Sequence, residues 1–144
     1  MNVKDGVKAL KNELRNYNYN RKKYYKISEL IDDMWYEIAG VKAIDPSKVT
    51  LENHNQALSE ERRLDLLEKI EKYEIERRRI EIQLNYVEHI IEQIEDDMKE
   101  PIKDIYIYGH TFQYASMKYD LYCSYLQYRI DKNLMDIIKK EGGI

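Results

Sequence analysis

Cysteine, proline, glycine and phenylalanine are scarce in this chain: its 144 residues include one Cys, one Phe, two Pro and five Gly. A lone thiol, Cys123, excludes an internal disulfide and suits a reducing, cytoplasmic setting. No run of about 18 apolar residues occurs, so no membrane-spanning helix is expected. The opening Met1-Asn2-Val3-Lys4-Asp5-Gly6 lacks the apolar stretch of a signal peptide, which argues against secretion. His54, His89 and His110 are far apart, with no Cys or carboxylate at ligand spacing, so no metal is expected. There is no Gly-rich phosphate loop and no nucleophile elbow. The expectation is a non-enzyme without a cofactor.

Charge and aromatics are plentiful instead. Charged residues make up 35% and hydrophobic ones 43%, enough for a core but with the charged share of long exposed helices. Fourteen tyrosines stand beside much Ile, Lys and Asn, a bias that an AT-rich coding sequence also produces. The net charge of −3 is awkward for a nucleic-acid binder, so its distribution matters. Residues 101–144 carry six cations against five anions, whereas Glu92 to Glu100 is strongly acidic.

Two long segments show a heptad pattern. The first runs Val3, Val7, Leu10, Leu14, Tyr17, Tyr24, Ile31, Trp35 and Ile38, interrupted by Arg21 and Ser28. Asn16 to Asn20 has poor helix propensity, which predicts a bend or fraying there. Gly40 is a natural stop. The second runs Leu66, Ile70, Tyr73, Ile80, Leu84, Val87, Ile91, Ile94 and Met98, with Arg77 in the seam needing an acid or a gap. Between them residues 40–58 read as a loop, with Pro46 as a breaker and Asn53, Asn55 and Ser59 as caps. The spacing predicts helices over about 3–39 and 59–98, folded back as an antiparallel hairpin of residues 1–98. Trp35 is expected to pack at the hairpin end.

Pro101 interrupts the pattern where the first turn of a new helix tolerates it. Residues 99–144 then read as a second domain in three short pieces: Ile102 to Tyr108, Thr111 to Tyr119 and about Tyr122 to Lys140. The joins are Gly109 and Asp120-Leu121. Small Ala115 and Ser116 let two helices approach, and Tyr119 and Leu121 bracket the turn. Leu126, Ile130 and Leu134 give the last helix an inward stripe, and Thr111 and Ser124 offer hydroxyl caps. Tyr125 and Tyr128 lean outward by helical phase.

The stretch Gly109-His-Thr-Phe-Gln-Tyr-Ala-Ser-Met-Lys-Tyr-Asp-Leu-Tyr-Cys-Ser-Tyr-Leu-Gln-Tyr-Arg-Ile-Asp-Lys-Asn-Leu134 resembles the region-4 helix-turn-helix of sigma factors, in the form found in small phage regulators. With Tyr36-Glu-Ile-Ala-Gly-Val-Lys-Ala-Ile-Asp45 and the charged helical segments ahead of it, the chain resembles phage late-transcription regulators of the ArpU and RinA kind. The resemblance implies an all-α fold whose last long helix enters the major groove. It places Cys123, Ser124, Gln127 and Tyr128 against the bases, with Gln127 suited to adenine. It places Thr111, Lys118, Arg129 and Lys132 at phosphates. The recognition helix carries fewer cations than is usual in that group, which implies weak non-specific affinity and a shallow salt slope.

The functional expectation is a sequence-specific regulator on double-stranded DNA, working with host RNA polymerase on late genes, with homodimerisation through the hairpin. Two readings compete. A small terminase subunit also joins a helix-turn-helix to helical oligomerisation, and the net negative charge fits an acidic protein-interaction or inhibitor module that binds no DNA.

Overall fold

The computed structural model describes residues 2–40 and 58–142, and every regular element among them is helical. The order is α1 (Val3–Ala39), α2 (Glu60–Gln93), α3 (Asp96–Ile102), α4 (Phe112–Tyr119) and α5 (Cys123–Glu141), with a π-helical stretch, Lys103–Ile107, running on from α3. The chain is all-α, as expected. Pro46, Asn53, Asn55, His54 and most of the expected loop lie outside the described residues. Among the described residues no helix is long and apolar enough to cross a membrane.

The ends of the long helices follow local chemistry. Gly40 ends α1 with φ at +72°, a conformation that costs a glycine little. The Ser59 hydroxyl accepts the Arg62 amide at 3.1 Å, and Glu60 and Glu61 favour the positive end of α2. The fraying expected at Asn16–Asn20 is absent, and α1 runs through it as continuous helix. Asn18 instead donates to the Ile107 carbonyl at 2.9 Å, so tertiary contacts outweigh a propensity deficit of roughly half a kcal/mol per residue.

The chain divides into two compact units, Lys22–Glu81 and Met1–Arg21 with Ile82–Ile144. In the unit Lys22–Glu81, α1 and α2 run antiparallel: Lys23 pairs with Glu76, Ser28 with Arg77 and Glu37 with Arg62. Ile27, Ile31, Leu66, Ile70 and Ile80 form the buried seam. Two of the three misfits of the heptad pattern meet, since Arg77 finds the Ser28 hydroxyl at 3.5 Å rather than an acid. Ile27, outside the expected stripe, is buried beside Ser28, because an isoleucine gains about 1.5–3 kcal/mol on burial and a serine does not. Trp35, expected to pack, is 43% exposed.

In the other unit one core joins the start of α1 (Val7, Leu10, Leu14), the end of α2 (Val87, Ile90, Ile94), α3 with its π-helical continuation (Met98, Ile102, Ile105) and the last helices (Ala115, Leu126, Ile130, Leu134). The boundary expected between 98 and 99 therefore falls inside a continuous core. Pro101 suggested that boundary because it interrupts the heptads. In the structure it is the sixth residue of α3 rather than a first-turn residue, and it is buried. A proline there removes one ladder hydrogen bond, and the helix widens to π geometry directly after it.

The true break comes earlier. α2 stops at Gln93 instead of 98, and α3 opens with Asp96 and Asp97 in its first turn. The buried Asn133 of α5 holds this junction: its Oδ1 accepts the Glu95 amide at 3.1 Å and its Nδ2 donates to the Arg129 carbonyl at 2.8 Å. At the other end of α5, Gly6 lets α1 come close, since a Cβ there would lie 3.0 Å from Ile138 Cγ2. Lys11 and Asp131 add a 2.6 Å ion pair.

Candidate nucleic-acid interface

The three residues Asp120, Leu121 and Tyr122 join α4 to α5. Asp120 takes the left-handed conformation at φ 54° and ψ 51°, which short polar side chains tolerate better than most. Its amide donates to the Ser116 carbonyl, as does that of Leu121 at 3.0 Å, while the Ser116 hydroxyl donates to the Leu121 carbonyl. Ala115 is fully buried, and Tyr119 and Leu121 pack against the core on either side of the turn.

Helical phase then sorts α5 into two faces. Leu126, Ile130 and Leu134 are fully buried. Cys123, Ser124, Gln127, Tyr128 and Lys132 are all exposed. The four base-facing candidates therefore share one solvent-facing surface at the start of the helix. Tyr122 caps α5 without a side-chain hydrogen bond, so Ser124 is not the cap its position suggested. Tyr122 and Tyr125, beside these residues in sequence, are exposed too, as is Met117 on α4, and His110 stacks on Tyr114 with ring centroids 4.0 Å apart.

Three of the four phosphate-facing candidates are engaged within the molecule. The Thr111 hydroxyl accepts the Tyr114 amide at 3.0 Å as the cap of α4, which leaves its proton for an outside acceptor. Lys118 donates to Asp104 at 2.9 Å, and that hydrogen bond raises its pKa. Asp104 is buried in the π-helical stretch. Burial alone would push its carboxyl up, but hydrogen bonds from Tyr119 and Lys118 and the lysine charge outweigh it and hold the group below the usual carboxylate range.

Arg129 bonds Tyr125 Oη at 3.0 Å, Glu95 at 2.6 Å and Asp97 at 3.0 Å, three contacts that hold its proton more firmly still. Of the three cations assigned to phosphates, Lys132 alone forms no ion pair with a described residue. The residues that sequence reasoning missed are these partners: Glu95, Asp97, Asp104 and Tyr125. The acid run Glu92–Glu100 was a visible signal, but the fold is needed to bring it beside Arg129.

No family model, no curated protein and no solved structure matches the chain.

Proposed function

We propose that the chain is a phage-type transcriptional regulator that reads double-stranded DNA through the outer face of α5, with α4 and α5 as its helix-turn-helix. The observation that carries this reading is the sorting of α5: a fully buried Leu126–Ile130–Leu134 stripe beneath an exposed, polar first two turns. Gln127 supplies the carboxamide that pairs bidentately with adenine, and Ser124, Cys123 and Tyr128 flank it. Lys132, with Thr111 at the start of α4, supplies phosphate contacts. So few contacts predict a shallow salt dependence, about 0.9 per neutralised phosphate on a logarithmic plot. Host RNA polymerase and a second copy of the chain supply the remaining affinity.

The experiment is enrichment of fragments of the source genome on the full chain, followed by gel shifts of the winners. Gln127→Ala with Tyr128→Ala is expected to abolish the preference for those fragments while leaving the melting curve in place, because both side chains face solvent. Equal binding by the double variant would remove the assignment.

The pairing of Lys118 and Arg129 with internal carboxylates favours a second reading, an acidic protein-interaction module that presents Tyr122, Tyr125, Tyr128 and Met117 to a partner. Tyrosine and arginine are enriched at such interfaces. Absence of any fragment enrichment, together with tight capture of a protein partner that Tyr128→Ala disrupts, would favour it.

A further inference from the structure

In the unit Lys22–Glu81, α2 is apolar on two sides. Turning about 100° per residue, it sends Leu66, Ile70 and Ile80 to the buried seam, and Leu64, Leu67 and Ile75 respectively to the far side, its flank and its centre. There they are 59%, 37% and 52% exposed. Single exposed apolar residues are ordinary, but a lone amphipathic helix keeps its second face polar.

The charges around Ile75 say what covers this face. Glu71 lies four residues before Ile75 and Arg79 four after it, both exposed on the same side. Their neighbours are paired within the helix: Lys69 with Asp65, Lys72 with Glu68 and Arg78 with Glu81. Glu71 and Arg79 form no ion pair with any described residue.

An acid and a base equidistant from a central isoleucine make a self-complementary patch. We propose that this face is a homodimer interface in which two copies of α2 pack antiparallel about a two-fold axis at Ile75. The axis sets Ile75 against its own symmetry mate and Glu71 of each chain against Arg79 of the other, so the ion pair forms twice. A parallel pairing would set Glu71 against Glu71 and Arg79 against Arg79. The charges therefore fix orientation, and the apolar contact supplies most of the affinity, since exposed ion pairs contribute little. This deepens the second-copy part of the reading above, but it rests on α2 alone and requires no DNA.

Sedimentation of the full chain without nucleic acid, from low to high micromolar concentration, tests it. The expected result is a mass rising to twice the 17.5 kDa of one chain. Ile75→Lys is expected to hold the chain at the single mass. Glu71→Arg, and separately Arg79→Glu, sets like charges together at two places and weakens the dimer at least about tenfold. Glu71→Arg with Arg79→Glu restores it, because the swapped charges pair again. All three positions are exposed, so circular dichroism is expected to report unchanged folding. A wild-type chain that stays single, a larger assembly, a dimer indifferent to Ile75→Lys, or a swap that fails to recover would each overturn the proposal. Failure of gel shifts alone would count against the DNA reading and leave this one standing.

Discussion

The Lys118 ammonium lies 2.9 Å from the Asp104 carboxylate, and the Tyr119 phenol donates to the same oxygen. One buried acid in the π-helical stretch is thereby tied to the end of α4, just before the turn into α5. Asp104→Asn removes charge-assisted hydrogen bonds and is expected to cost roughly 1.5–3 kcal/mol at neutral pH. The folded-state pKa of Asp104 lies below its ordinary value, so the stabilisation is full above about pH 4 and fades as pH falls through the lowered pKa. Urea midpoints from pH 2 to 7 should therefore show the gap between wild type and Asp104→Asn constant near neutrality and closing in acid. A gap that does not change with pH would mean that the carboxylate charge plays no part.

Leu14 of α1 and Leu126 of α5 are both fully buried in one cluster. Each substitution to alanine is expected to cost about 2–5 kcal/mol. A fragment of residues 99–144 would leave Leu126, Ile130 and Leu134 without Val7, Leu10 and Leu14, and it is expected to melt without a cooperative transition. A sharp thermal transition in that fragment by circular dichroism would contradict the shared core.

What was legible in the sequence was periodic. The limits of α1, α4 and α5 follow from apolar spacing, from Gly40, Gly109 and Asp120, and from the Thr111 cap. The outward phase of Gln127 and Tyr128 follows equally from the spacing of Leu126, Ile130 and Leu134. The rest depended on distant partners. Pro101 is a strong local signal, and tertiary burial overrode it. The stop of α2 at Gln93 depends on Asn133, forty residues further along. Arg129 and Lys118 look like free cations until the fold sets Glu95, Asp97 and Asp104 beside them.

Asn133 offers a direct check on that junction. Asn133→Leu keeps the volume but leaves the Glu95 amide and the Arg129 carbonyl without their side-chain partners. The expected cost is about 1–3 kcal/mol. Hydrogen exchange at the Glu95 amide should accelerate in the variant. Unchanged exchange and an unchanged midpoint would show that the α2–α3 break is held by other contacts.

Arg129 is the last test, because two acids hold it away from any phosphate. Glu95→Gln with Asp97→Asn removes both negative charges. Arg129 is only partly exposed, but Glu95 and Asp97 are well exposed, so the cost in stability is expected to stay within about 1 kcal/mol. If α5 docks on DNA as proposed, the freed guanidinium adds one phosphate contact. The plot of log affinity against log salt should then steepen by about 0.9. Adding Arg129→Ala in the same background should return the slope to its original value. A slope that steepens equally with and without Arg129 would mean that loss of the acids, and not the arginine, acts on the DNA. A slope that does not move at all would place Arg129 outside the DNA-facing surface.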